Sequence, residues 1–297
     1  MNDVYLICNI SRQAHHKAIL RYIGQKEKEY IYTRLMEQTR ELHPGMGLRT
    51  MYEMLAPEGI GRDAFIALGL QSGFRLTAVE KQTRTTYSIK SNRYINLLNG
   101  KRFTSVNQVW SSDITYLHAL GKFYYIVMIM DVYSRRIVGF SIADNMRAEN
   151  NLSALKMAFT LRGINHYNHK LIHHSDKGAQ YASDIYTETL HNYGVLISMC
   201  DDVYENTHIE RINNTIKNQY LYKMHFKDET DLKTKVAHVM KIYNDFRPHK
   251  SLKKMTPAAY EEYLKTIPEN QREKMEIYTA TKNLEAMDPN QLKMMFT

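Results

Sequence analysis

Three carboxylates are spaced so that a folded sheet and helix could bring them together. Asp113 lies in Ser111-Ser112-Asp113-Ile114-Thr115-Tyr116-Leu117, Asp176 in Ser175-Asp176-Lys177-Gly178, and Glu210 in a helical stretch. A carboxylate beside the apolar strands of a core is costly unless it is paired or binds a metal. Acids converging on one point repel each other unless cations sit between them, and hard oxygen donors favour Mg²⁺ or Mn²⁺. Two such ions about 3.5–4 Å apart can clamp the attacking and leaving oxygens of a phosphoryl transfer. The plain alternative is that Glu210 is one of many solvated helix acids, and spacing alone favours that alternative.

Several elements must position these acids. Val109 to Leu117 reads as a strand, Gly121-Lys122 as a turn, and Phe123 to Val132 as a second strand, apolar on both faces and therefore central. Ile137 to Ile142 completes an antiparallel meander. A helix follows, with Leu152, Leu155, Met157, Ala158 and Leu161 as apolar positions and Gly163 as its end. A fourth strand, Lys170 to His174, leads into Asp176; of His173 and His174, one is expected in the core and the other towards the site. A helix over Ser183 to Tyr193, a strand over Val195 to Met199 and a helix over Asn206 to Leu221 complete an α/β order with one mixed sheet. If the first and fourth strands are neighbours, Asp113 and Asp176 lie at adjacent strand ends. In the last helix Ile209, Ile212, Ile216 and Tyr220 share an apolar face. Glu210 lies on another, with Asn206, Asn213, Asn214 and Lys217 around it. Trp110 reads as packing rather than base stacking.

Upstream, Ser11 caps a helical region that stops at His43-Pro44-Gly45. Two short helices are expected over residues 47–74 around the turn Pro57 to Gly61. This is the helix-turn-helix pattern, which any small helical bundle also produces. Lys81, Arg84, Lys90, Arg93, Lys101 and Arg102 then occur with no acid among them, either as an arm lying along phosphates or as a solvated loop. Forty Lys and Arg against 31 Asp and Glu give a net charge of +9, which points to a polyanionic partner, nucleic acid first. Cys8 and Cys200 are too few for a disulfide framework or a Cys-rich zinc site. Without a signal-peptide start, and with Phe123 to Met130 too short to span a bilayer, a soluble cytoplasmic protein is expected.

Four motifs taken in order carry a resemblance. Trp110 to Tyr116, Asp131-Val132-Tyr133-Ser134-Arg135-Arg136-Ile137-Val138-Gly139, His174 to Tyr181, and Tyr204 to Arg211 are similar to the core of bacterial insertion-sequence transposases with a retroviral-integrase-like (DDE) domain. Tyr243-Asn244-Asp245-Phe246-Arg247-Pro248-His249 and Thr256-Pro257 resemble that family's closing motif, and the whole is most like the second-reading-frame (OrfB-type) product. The resemblance implies a ribonuclease H-like mixed five-stranded sheet flanked by helices, preceded by a small all-α helix-turn-helix region. Its implied organisation is a helical DNA-binding region over 1–80, a basic linker over 81–104, a catalytic core over 105–265 and a helical tail over 266–297.

By the same resemblance Asp113, Asp176 and Glu210 form the catalytic, metal-binding triad for two Mg²⁺ or Mn²⁺ ions. Lys217, Arg211, Asn206, Gln180 and Lys177 would contact DNA, together with the basic arm. Implied partners are element-end and target double-stranded DNA, further copies of the chain, and an upstream-frame (OrfA-type) protein, in a bacterial, nucleoid-associated setting. The implied activity is that of a polynucleotidyl transferase: end cleavage, then strand transfer by 3′-OH attack. The sequence also departs from the pattern. The 33 residues between Asp176 and Glu210 make a slightly short gap, with the deletion placed at Cys200-Asp201-Asp202-Val203, and Glu205 is a rival third acid. These departures keep open a catalytically inactive or repurposed DNA-binding protein derived from a transposase. An ordinary ribonuclease H-type nuclease is a third reading, against which the helix-turn-helix pattern and closing motif argue.

Overall fold

The computed structural model of the chain describes residues 10–77, 94–200 and 206–276. Two compact units emerge, residues 1–81 with 218–225, and residues 82–217 with 226–297.

In the first unit, helix α1 (Arg12–Leu42) starts where Ser11 Oγ accepts the Ala14 N–H at 3.1 Å. The expected helical pair follows as α2 (Leu48–Leu55) and α3 (Arg62–Gln71). Met36, Met46, Met51 and Phe65 are fully buried at their centre. Ile19, Tyr22 and Ile23, whose spacing predicted the first helix, are exposed, so the period was right and the buried face lies further along, at Tyr32 and Met36. The segment 218–225 joins this unit through His43 Nδ1 and the Tyr220 hydroxyl, 2.7 Å apart, and through the Gly45 N–H donating to the Gln219 carbonyl at 2.7 Å. A Cβ on Gly45 would lie 2.4 Å from Gln219 Cα, so only glycine permits that approach.

The second unit begins with β1 (Arg102–Phe103) and then builds the sheet from β2 (Val109–Ala119), β3 (Lys122–Asp131), β4 (Ile137–Ala143), β5 (Ile172–Ser175) and β6 (Leu196–Met199). The order across the sheet is β4-β3-β2-β5-β6. β2, β3 and β4 form the antiparallel meander, and β5 and β6 run parallel to β2. A meander extended by two parallel strands through helical crossovers is the ribonuclease H-like arrangement. Its helices are α4 (Ala148–Arg162), α5 (Asp184–Asn192), α6 (Thr207–Gln219), α7 (Glu229–Phe246) and α8 (Pro257–Lys265). β3 is buried from Tyr124 to Asp131, as expected of a central strand.

Strand alternation divides β2 between two faces. Trp110 and Ile114 enter the core under α4 and α5, where the Trp110 ring lies 5.6 Å from Phe159 and 5.5 Å from Tyr167. Ser111 and Asp113 face the other way, towards α6. Met157 and Leu161, expected in the core, are exposed at 42% and 48%; Ala154, Leu155, Ala158 and Phe159 supply the buried face of α4 instead.

α4 packs directly on β4 at Gly139, where a Cβ would stand 2.1 Å from the Ala154 carbonyl oxygen. Gly139→Ala is therefore expected to destabilise this unit by about 1–3 kcal/mol through forced displacement of the helix, read as a lower urea midpoint with an unchanged slope.

Two boundary expectations change. Arg102 and Phe103, placed in a linker, pair antiparallel with β7 (Met275–Glu276). The described part of the tail holds that strand and a 3₁₀ turn at Glu269–Gln271 rather than an α-helix, and 277–297 lie outside the described residues. No described helix is long and apolar enough to cross a membrane.

Candidate active site

β2 and β5 pair in parallel as Val109 with Ile172, Trp110 with His173 and Ser111 with His174. Extending that register by two positions sets Asp176 level with Asp113. Both acids thus lie at one edge of the sheet because their strands are parallel neighbours.

Asp113 is half-buried. Its Oδ2 accepts the Asn213 amide at 2.6 Å, and its Oδ1 accepts the Ile114 N–H at 2.9 Å. Burial, then the charges of Asp176 and Glu210, push its carboxyl up to about 7 against the pull of those two donors. Asp176 reaches the surface, yet crowding by neighbouring atoms raises it too, opposed by the Gly178 N–H, which donates to its Oδ1 at 3.1 Å. Glu210 is more exposed than Asp113, and partial burial raises it. The charges of Asp176 and Glu210 both act on Asp113. Among the described residues no three His, Cys, Asp or Glu side chains are close enough together to hold a metal ion. The β2–β5 pairing brings Asp113 and Asp176 to one sheet edge, and α6 carries Glu210.

α6 docks through its amides. Ile209, Ile212, Ile216 and Tyr220 are all buried, as the spacing predicted. Asn206 and Asn213, expected around Glu210, turn to β2 instead. Asn206 hydrogen-bonds Ser111 Oγ and donates to the Ser112 carbonyl at 3.1 Å, while Asn213 holds Asp113. Asn206 is 5% exposed with its amide engaged, which corrects its expected role on DNA. Seven residues apart, these asparagines fall on one helix face two turns apart and set the height of Glu210 over the sheet edge.

The remaining predicted residues scatter. Lys217 is half-buried with Nζ 4.8 Å from the centroid of the Tyr116 ring; burial lowers its pKa while the charge of Asp113 works against that. Lys177 is in the turn between Asp176 and Gly178. Gln180 donates to the Met146 carbonyl at 3.2 Å, tying the Asp176 loop to the segment before α4. Arg211 is exposed, next to Glu210. Lys101 and Arg102 line a cleft of about 580 Å³ with His169 and Lys170, at the opening ends of β2 and β5 and away from the acids. Arg102 pairs there with Glu276 at 2.6 Å. Lys81, Arg84, Lys90, Arg93 and the rival acid Glu205 lie outside the described residues.

Both histidines before Asp176 turn inward. His173 Nε2 meets the Tyr186 hydroxyl at 2.9 Å, and burial drives it down to about 3. His174 bonds Ser198 Oγ at 2.9 Å and Cys200 Sγ at 3.1 Å. Neither faces the acids. Tyr181, the last residue of the His174-to-Tyr181 motif, is buried with its hydroxyl 2.9 Å from Ser112 Oγ, a partner that the motif did not indicate. Burial, with Asp176 and then Asp113 among the nearby charges, raises its pKa well above the ordinary tyrosine value, so it stays a neutral hydroxyl beneath both acids.

Residues 104–203 and 198–257 match two family profiles, both described as integrase core domain. The chain is 28% identical over 256 residues to the transposase for insertion sequence element IS629 of Shigella sonnei, covering 84% of this chain and 85% of the relative. It is 32% identical over 236 residues to the IS600 insertion-element 31 kDa protein of the same organism, covering 76% and 83%. To the transposase for insertion sequence element IS904 of Lactococcus lactis subsp. lactis it is 30% identical over 172 residues, covering 57% and 67%. With an integrase core matched from 104 to 257 and relatives of this kind aligned over most of their length, this chain belongs to the insertion-sequence transposases built on an integrase core.

Proposed function

We propose that the protein cuts DNA at the ends of its own mobile element and joins the freed 3′-OH to a new phosphodiester, with Asp113, Asp176 and Glu210 as the catalytic acids. The observation that carries this reading is the parallel pairing of β2 with β5, which brings Asp113 and Asp176, one residue past the end of β5, to the same sheet edge, with Glu210 on a helix fastened to β2. Both steps are in-line displacements at phosphorus, so one set of acids serves both.

The donor set fits Mg²⁺ or Mn²⁺. Its oxygens are hard, and burial, with the anions of Asp176 and Glu210 beside it, raises Asp113 to about 7, a carboxylate that a cation would stabilise. Mg²⁺ commonly takes only one or two protein carboxylates and completes its shell with water and substrate phosphate, so the two aspartates are an adequate starting set. A bound divalent ion supplies charge neutralisation and polarises the scissile phosphate.

The chain's own groups do the positioning. Asn213 and the Ile114 N–H fix both oxygens of Asp113, Gly178 fixes one oxygen of Asp176, and Tyr181 supports the strand under both. Arg211, Lys177, Gln180 and Lys217, with the basic arm over 81–102, are assigned to the DNA backbone; the helical unit is assigned to element-end recognition. A multimer pairing two DNA ends, and an upstream-frame partner, belong to the same proposal.

The test is a duplex carrying the element's own terminus, incubated with the full chain and Mg²⁺. Nicked ends followed by joined products are expected. Binding without any metal-dependent turnover would favour the inactive DNA-binding alternative, and cleavage of RNA–DNA hybrids without joined products would favour an ordinary nuclease.

A further inference from the structure

The cleft of about 580 Å³ at the far end of the sheet has walls from two distant stretches of the sequence. One is the approach to β2, between Lys101 and Gln108; the other is the approach to β5, from His166 to Lys170. Both walls are fixed in shape. Asn107, Asn168 and His169 all line the cleft with left-handed backbones, φ 61°, 50° and 59°. Residues with a Cβ keep such backbones only where the surroundings impose them. Here the Asn107 N–H donates to Asp131 Oδ2 at 2.6 Å, and the Tyr167 and His169 N–H groups donate to the Tyr193 and Gly194 carbonyls at 2.8 and 2.7 Å.

Hydrogen bonds within the protein occupy the acceptors of this cleft and leave donors over. Gln108 Oε1 accepts the N–H groups of Thr104 and Ser105 at 2.8 and 3.1 Å, and Ser105 Oγ accepts Arg272 at 2.8 Å. Asn107 Oδ1 accepts the Trp110 indole N–H at 3.3 Å. Glu269, the one acid among the described lining residues, accepts Thr104 Oγ1 at 3.1 Å and Gln108 Nε2 at 3.4 Å.

The donors stand differently. Among the described residues the Lys101 and Lys170 ammonium groups have no ion-pair or hydrogen-bond partner, and neither has the side-chain N–H₂ of Asn107. Arg102 engages Glu276 through Nε alone, at 2.6 Å, which leaves its two terminal nitrogens unused there. Lys101, Arg102 and Lys170 are all exposed, so a ligand can reach them. A surplus of cationic donors in a cleft whose acceptors are taken calls for an anion rich in oxygen.

We propose that this cleft holds a stretch of DNA by its backbone phosphates, with Lys101 and Lys170 gripping from the two walls and Arg102 and Asn107 beside them. This rests on the reading of the chain as a DNA-processing transposase and deepens it: the last two residues of the basic arm gain a second wall. Ile172 lines the cleft, and Asp176 is four residues further along, so the two are about 13 Å apart at a strand's rise of about 3.3 Å per residue. A phosphate in the cleft is therefore not the one that reacts, and the cleft is a second holding point for DNA, away from the candidate acids.

The test is the salt dependence of DNA binding by the full chain in EDTA, with a fluorescent mixed-sequence duplex of about 30 base pairs. The double variant Lys101→Gln with Lys170→Gln removes both ammonium groups from exposed positions, so its melting temperature should match the wild type. The slope of log K against log salt is expected to become shallower by about two, and binding near ~0.1 M salt to weaken about tenfold or more. Lys156→Gln is the control: this lysine is exposed on α4, does not line the cleft, and its loss should leave the slope unchanged. An unchanged slope in the double variant overturns the cleft and leaves the transposase reading standing. A slope shallower by about one in Lys156→Gln also overturns it, because net charge alone would then account for the effect. Failure of the wild type to bind any duplex overturns the transposase reading itself. If the double variant does not fold, Lys170→Gln alone carries the test: a slope shallower by about one supports the cleft and an unchanged slope rejects it.

Discussion

Asp113→Ala is expected to retain DNA binding while losing end cleavage and strand transfer by about a thousandfold or more. Transition-state charge stabilisation at a metal-assisted phosphoryl transfer amounts to several kcal/mol, and each 1.36 kcal/mol is a factor of about ten in rate. The same loss is expected for Asp176→Ala and Glu210→Ala, measured on element-end DNA with Mg²⁺. Glu205→Ala is the control, since Glu205 is the rival third acid in the sequence. Full activity of Glu210→Ala would remove that residue from the triad, and loss in Glu205→Ala would put the rival in its place. A stability measurement separates a chemical role for Asp113 from a structural one. Asp113 is crowded by Asp176 and Glu210, so Asp113→Asn in EDTA should melt no lower than the wild type because one member of a like-charged set has gone. A marked fall in melting temperature would mean that the strand needs the carboxylate for folding.

Arg162→Met is expected to destabilise the second unit by about 3–5 kcal/mol, as is typical when one partner of a buried ion pair is removed. Arg162 donates to Glu261 through both terminal nitrogens, at 2.8 and 2.7 Å, and to Asp131 at 3.2 Å. Asp131 is fully buried and Glu261 nearly so. The arginine serves the two acids unequally. Burial would raise Glu261, but hydrogen bonds and charge from Arg162, with Ser134 and Arg136, outweigh it and hold that carboxyl below its ordinary value. For Asp131 burial remains the larger influence and its value goes up. Glu261 therefore contributes stability that is present above its unfolded value and lost as pH falls through its lower folded value. Without Arg162 both carboxyls go up, so the deficit of Arg162→Met should shrink in acid, where they are protonated. Urea midpoints at neutral and acidic pH read this directly. A deficit below about 1 kcal/mol, or one that grows in acid, would contradict the network's role.

This network explains what two separated stretches of the sequence have in common. The run from Asp131 to Gly139 and the region after Thr256 are linked where Ser134 Oγ donates to Glu261 at 2.7 Å, across 127 positions. Asn244 secures the start of β4, accepting the Ile137 N–H at 2.9 Å and donating to its carbonyl at 2.8 Å. The Tyr133 and Tyr260 rings lie 6.2 Å apart in a small cluster with Leu252 and Leu264. The sequence supplied these motifs as a family resemblance only, and their physical task, fastening α7 and α8 to the meander, is visible in the contacts.

By itself the sequence determined the order of strands and helices, the central place of β3, the apolar face of α6, and Asp113 on the first strand with Asp176 just past the fourth. Those features are local: hydrophobic period, turn glycines and breakers report on a few neighbouring residues, and strand order turns that local information into a common edge. Tertiary structure alone decided which partner each polar side chain took. Asn213 meets Asp113 across 100 positions, Asn206 turns to Ser111 and Ser112, and both His173 and His174 go inward. It also separated Arg135 from Arg136, identical neighbours in the sequence, one left with a buried, unused N–H and the other paired with Glu261. The three acids on which the sequence first drew attention divide in the same way. The pairing of two parallel strands brings the aspartates to one sheet edge, whereas the place of Glu210 depends on how α6 is fastened to β2 by two asparagines, a long-range contact that spacing along the chain does not encode.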